Sequence, residues 1–198
     1  MSEHDFEPVP GLPGRLPRGE TMLWQGKPDW KQLAVAAFHI RPVALYFVVL
    51  AVWGALSGGS LVGIAITIGF GALAVGVLSL MAWFSAHTTI YTLTDRRMVL
   101  RIGMAVSTCI NLPLGQIGAA DLKLAGNGSG DIALRTNDRM PLGYAMLWPH
   151  ARPWTIVHPQ PMLRAVPEAR KVAALLARAC GASLAVARAP AQPEALAA

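Results

Sequence analysis

Residues 42–94 read PVALYFVVLAVWGALSGGSLVGIAITIGFGALAVGVLSLMAWFSAHTTIYTLT, without one Asp, Glu, Lys or Arg. Arg41 closes this stretch on one side and Asp95 on the other. Within it, residues 43–56 and 61–84 are almost wholly apolar, and Ser57-Gly58-Gly59-Ser60 separates them. A helix rises about 1.5 Å per residue, so the second segment is long enough for a hydrocarbon core of about 30 Å. The first is short unless its helix begins earlier, near Phe38, with Arg41 snorkelling to the headgroups. The buried core hairpin of a soluble protein would show polar faces, and this one shows none. The expectation is a two-helix transmembrane hairpin over residues 42–86.

Charge is distributed around the hairpin unevenly. The net formal charge is +6, from a chain of 198 residues that is 54% hydrophobic and 14% charged. Lys27, Lys31 and Arg41 precede the hairpin, Arg96, Arg97 and Arg101 follow it, and the turn between its helices is uncharged. By the positive-inside rule both termini face the cytoplasm, which makes this a multi-pass protein of the cytoplasmic membrane. The excess positive charge lies after the hairpin, so the expected partner is anionic membrane lipid. Nucleic acid is not expected, because the arginines are spread out and not gathered into an aromatic-interleaved patch. Glu3, Asp5 and Glu7 among prolines are the opposite of a signal peptide's start, so the hairpin itself is expected to direct insertion. Cys109 and Cys180 lack metal-ligand spacing and are expected as reduced thiols.

Residues 1–18, rich in Pro and Gly, read as a flexible or irregular lead. Residues 19–41 hold the compact motif Leu23-Trp24-Gln25-Gly26-Lys27-Pro28 and then a helix from Trp30 to Arg41, N-capped by Asp29. That helix is either interfacial or an extension of the first span. Seven glycines in residues 54–76 supply small surfaces, either for packing within the hairpin or for a homo-oligomer. After Ala86 the pattern changes to short β-branched and apolar runs at residues 88–93, 97–102, 106–112, 116–124, 131–135 and 154–157, punctuated by turns such as Gly126-Asn127-Gly128-Ser129-Gly130. Residues 161–181 read as an amphipathic helix, with Val172, Leu175, Leu176 and Ala179 on one stripe and Gly181 as its stop. The expected fold is a membrane α-helical hairpin plus a cytoplasmic α+β domain over residues 87–181. That domain is a pleckstrin-homology-like antiparallel β-barrel or sandwich capped by its C-terminal helix. Residues 182–198 read as a disordered tail.

No catalytic constellation or metal site emerges, and none is assigned. Trp148-Pro149-His150-Ala151-Arg152-Pro153-Trp154 packs two tryptophans, His150 and Arg152 into a stiff loop. Trp148, His150, Arg152, Trp154 and, separately, Trp24 are candidate partner contacts; the alternative is that the tryptophans fill the domain's own core. Arg41, Arg96 and Arg97 are candidates for lipid phosphate or, for the latter two, ordinary turn solvation. His39 and His87 fall at the ends of the spans, where an imidazole suits the interface or could ligate the magnesium of a chlorophyll-type pigment.

Ile90-Tyr91-Thr92-Leu93-Thr94-Asp95-Arg96-Arg97 with Gly103, Asn111-Leu112-Pro113-Leu114 and Gly130-Asp131-Ile132 resembles the bacterial PH-like domain of small membrane proteins. The Leu23–Pro28 motif, Ala37-Phe38-His39-Ile40-Arg41-Pro42-Val43, the Trp148–Trp154 loop and Pro161-Met162-Leu163-Arg164-Ala165-Val166-Pro167 narrow it. Together they are similar to the photosynthetic complex assembly protein family of purple bacteria, the PuhB family, over roughly residues 18–180. The resemblance implies a non-enzymatic factor that helps assemble the photosynthetic reaction centre and its light-harvesting complex. Subunits of those complexes are then the expected partners. The alternative it leaves open is a membrane-anchored module that binds lipid or bacteriochlorophyll.

Overall fold

The computed structural model describes residues 11–12, 14–103, 108–137 and 143–188. Most of the expected lead, part of the third expected strand and the turn at Asp138 lie outside them. Strand β1 (Met22–Gly26) opens the fold, followed by helices α1 (Trp30–Ala36), α2 (Ile40–Leu56) and α3 (Leu61–Thr88). Strands β2 (Ile90–Thr94), β3 (Arg97–Ile102), β4 (Thr108–Pro113), β5 (Ile117–Leu124) and β6 (Gly130–Thr136) come next. A short helix α4 (Tyr144–Leu147), strand β7 (Met162–Val166) and helix α5 (Ala169–Arg188) complete it.

Asp29 caps α1 as expected, its Oδ1 accepting from the Lys31 N–H at 2.9 Å. The helix expected to continue to Arg41 instead ends at Ala36, and α2 departs at a bend of 60°. Pro42 is the reason. It has no N–H, and its ring would collide with the Phe38 carbonyl if the helix ran straight through. Placed in the first turn of a new helix, the same proline costs nothing. His39 takes up the change of direction in the left-handed region, at φ 53°.

α2 and α3 pack side by side through a turn in which Gly58 adopts φ 74° and Ser60 caps α3 through Gly63 N–H at 3.1 Å. α3 is long and apolar enough to cross a membrane, and α1 with α2 passes the same test only as one bent span. Gly71 is buried between the two helices; a Cβ there would lie 2.7 Å from the Phe47 Cβ. Gly71→Val is therefore expected to force α2 and α3 apart and to cost about 1–3 kcal/mol. A lowered unfolding temperature in detergent micelles checks this; an unchanged one would show that the pair does not pack there.

The domain end of α3 is not bare. Ala82 and Ala86 are buried with Leu33, Ala34 and Phe38 of the α1 segment and with Ala165 of β7. The chain passes from α3 into β2 across Thr89 alone, so the helix pair and the strands are joined without a linker.

Antiparallel strands form two sheets, of order β1-β2-β3-β4 and β5-β6-β7, and the expected barrel does not close. β4 and β5 are joined by a 3-10 turn (Leu114–Gln116) and are not paired with each other. Tyr91, Leu93, Met98, Leu100 and Leu112 of the first sheet meet Ile132, Leu134 and Leu163 of the second. α5 covers this core with Val172, Leu176 and Ala179, while Leu175 is only partly buried.

Three expectations fail here. The domain does not start at residue 87, because β1, which overlaps the Leu23–Pro28 motif, is an edge strand of its first sheet, paired with β2. Residues 154–157 are not a strand but an exposed loop, and the last strand is Met162–Val166, inside the expected helix. Five residues between two prolines suit a strand, and α5 begins only at Ala169, after Pro167. Gly181 does not stop α5, which continues to Arg188, so the expected tail begins as helix.

Candidate functional site

His150 is fully buried, which removes it from any partner surface. Its Nδ1 lies 2.7 Å from the Tyr91 Oη and its Nε2 3.0 Å from the Thr89 Oγ1. Tyr91 Oη also accepts the Arg164 backbone N–H at 3.1 Å. With the tyrosine proton on Nδ1 and Nε2–H donated to Thr89, every one of these buried groups is satisfied. Burial, with the Arg164 charge added, pushes the His150 pKa down to about 3, so the ring is neutral. Burial likewise raises the Tyr91 hydroxyl. The imidazole ties the end of α3 and Tyr91 of β2 to the loop it stands on, a structural role.

Arg164 was not singled out by sequence. It is 6% exposed and donates to the Ala36 carbonyl at the end of α1 (2.9 Å) and to the Ala151 carbonyl (3.3 Å). Its Nε is buried without a hydrogen bond. Among the described residues it makes no ion pair. A lone arginine within a five-residue apolar run flanked by prolines was the available signal.

Of the other candidates, Trp148 is tied into the fold, its ring edge-on to Phe38 at 5.2 Å between centroids. Arg152 donates to Asp121 Oδ2 (2.9 Å) and Gln160 Oε1 (3.1 Å), and Arg135 reaches the same carboxylate at 2.7 Å. Hydrogen bonds from Arg135, and then Arg152, hold Asp121 below the usual carboxylate range against a smaller opposing effect of burial. Trp154 alone of this loop's candidates is bare, at 93% exposure. Trp24 is half-buried against the domain's own core, with its ring over Gly26.

The arginines after the hairpin are mostly occupied. Arg97 makes a bidentate pair with Glu20 (2.8 and 2.9 Å), whose carboxylate also accepts from Thr94 at 2.8 Å. Burial would raise the Glu20 pKa, but the Arg97 and Thr94 hydrogen bonds and the Arg97 charge bring it below its ordinary value. Arg97 is thus a structural ion pair and not a free phosphate ligand. Arg96 donates to the Gly19 carbonyl at 3.3 Å. Arg41 is exposed on the first turn of α2.

His39 and His87 are both exposed, with Nδ1 at 3.0 Å from the Ala37 carbonyl and 2.9 Å from the Trp83 carbonyl. A carbonyl can only accept, so Nδ1 carries the proton in both bonds and Nε2 is the ring nitrogen left over for another partner.

Geometry gathers some candidates and scatters others. His39, Trp148, Arg152 and Trp154 line one cavity of about 750 Å³, together with Lys123 and Arg164. It opens between the α1–α2 bend and the outer side of the second sheet. Arg41 lies across α1 in a second cavity of about 500 Å³, whose wall shares Lys123. Trp24, Arg96 and Arg97 belong to the opposite sheet and line neither.

Two antiparallel sheets covered by a C-terminal helix define a PH-like domain, and the chain belongs to the bacterial PH domain family, which matches residues 35–179. It is also 41% identical over 195 residues to an uncharacterized 23.7 kDa protein in the puhA 5′ region of Rhodobacter capsulatus, a match covering 93% of this chain and 91% of that one. No solved structure matches.

Proposed function

We propose that this protein is a non-enzymatic assembly factor, held in the cytoplasmic membrane by α2 and α3, for the photosynthetic reaction centre and its light-harvesting complex. The bare apolar surface of the helix pair carries this reading. α2 buries no residue and α3 only Gly71, Ala82, Ser85 and Ala86, so Leu45, Trp53, Leu61, Phe70 and Leu73 face outward. Such a surface requires lipid or other membrane helices around it. In this reading α2 and α3 are two spans, and the Lys and Arg bias places both termini in the cytoplasm. The client subunits meet the helix pair laterally. The PuhB-like motifs support the choice of client, as does the relative's place in the puhA 5′ region.

Deleting the gene is expected to lower reaction-centre complex severalfold while pigment synthesis and subunit transcripts stay near normal. Absorption spectra of membranes, with transcript measurement, check it. Normal complex levels would sink the assembly reading. The exposed rings of His39 and His87, each bonded through Nδ1 with Nε2 left over, favour a second reading, in which the same hairpin carries bacteriochlorophyll. Stoichiometric pigment on the purified chain, lost in His39→Ala or His87→Ala, would replace the first reading with the second.

A further inference from the structure

Trp154, Ile156 and Val157 are 93%, 67% and 83% exposed, which makes them an apolar tip on a loop fixed at its neck. Ala151 bridges to Pro161, Arg152 N–H donates to the Gln160 carbonyl at 2.9 Å, and Thr155 Oγ1 donates to the Arg152 carbonyl at 2.7 Å. Trp154 stands at φ 65°, an uncommon conformation for a bulky residue. A soluble loop gains nothing by holding a tryptophan and two β-branched residues in water.

The neck abuts the base of the helix pair. Trp148 touches Phe38, two residues before α2 begins, and Trp154 and Ile156 line the same cavity as Ala37 and His39. The tip therefore stands beside the first turn of α2, the level at which a span leaves a bilayer. Charge of both signs lines that cavity, with Lys123, Arg152 and Arg164 against Asp121 and Asp131. Lys123 on that wall and Arg41, in the second cavity across α1, make no ion pair among the described residues; Asp121 is already held by two guanidiniums, and Asp131, opposite Lys123 in the β5–β6 register, accepts the Ala165 N–H. An aromatic tip next to these two cations matches a bilayer interface with anionic headgroups, where indole rings and basic side chains both settle.

We infer that residues 154–157 insert into the interface of the same bilayer that holds α2 and α3, with Lys123 and Arg41 on lipid phosphates. This rests on the reading of α2 and α3 as membrane spans. The domain then lies against the membrane on its β5–β7 side instead of standing clear of it.

The test uses the full chain, with Cys109→Ser and Cys180→Ser, in vesicles of phosphatidylcholine and phosphatidylglycerol. An environment-sensitive NBD label is placed at Ile156→Cys or at Leu73→Cys, midway along α3. Spin-labelled lipids near the headgroup should quench the Ile156 label at least twofold, and those near the chain end should quench the Leu73 label. Adding Trp154→Glu should abolish the first signal and leave the second unchanged. Quenching at Leu73 without quenching at Ile156 overturns the loop insertion alone, even if a protein partner later shields the label. Failure at Leu73 overturns the membrane reading and the insertion with it. Where cysteine replacement disturbs folding, the difference in tryptophan emission between the native chain and Trp154→Phe gives the same readout. Brominated lipid should then quench that difference, and an unquenched difference overturns the insertion.

Discussion

Between pH 6.5 and pH 4 the domain is expected to lose about 3 kcal/mol of stability through His150 alone. The ring's ordinary pKa of 6.5 falls to about 3 in the fold. The folded state thus binds fewer protons than the unfolded one in that window. Stability is complete above pH 6.5 and declines as pH falls toward 3, at a slope approaching 1.36 kcal/mol per pH unit. Protonation would cost the Tyr91 hydroxyl its acceptor and place a second cation beside buried Arg164. Glu20 contributes in a lower window: its depressed pKa gives stability present above its unfolded value of 4.5 and lost as pH drops through the folded one. The two are separable. Urea unfolding of the full chain in non-ionic micelles should show a slope between pH 6.5 and 4.5 that His150→Gln flattens. Parallel pH profiles for the two chains would mean that His150 is not buried neutral.

Leu176→Asp is expected to destabilise the domain by about 5 kcal/mol or more. Leu176 is 1% exposed on the face of α5 that covers both sheets. The substitution removes about 2–3 kcal/mol of apolar burial and leaves a carboxylate without a partner in a dry core. That combination belongs to the extreme tail of single-residue effects. Leu175→Asp should cost far less, because Leu175 is only partly buried and its carboxylate can reach water. Thermal unfolding of both variants by near-ultraviolet circular dichroism checks the order. Equal losses would place both residues equally deep and contradict the observed packing of α5.

Much of this arrangement was legible in residue order. Charge-free apolar runs separated by Ser57-Gly58-Gly59-Ser60 define α2 and α3, because nothing polar interrupts either face. Most strands were readable from β-branched runs and turn residues, and residues 97–102 coincide with β3. The break before α2 was also written there, in Pro42, but the apolar continuity across Phe38 masked it.

What only the tertiary structure decided is which polar side chains are available. His150, Arg152 and Trp154 sit within five residues of one another and look equivalent as a sequence. Pairing with Tyr91, about sixty positions away, sinks His150 into the core; Asp121 on β5 neutralises Arg152; Trp154 is left exposed. The same holds for Arg97, consumed by Glu20 from the far side of the hairpin, and for Lys123, which local sequence left unremarkable. Local sequence sets the helix and strand periods through backbone sterics and apolar spacing. The occupancy of a charge or a ring depends on partners brought together by long-range pairing, and those partners leave no trace in spacing.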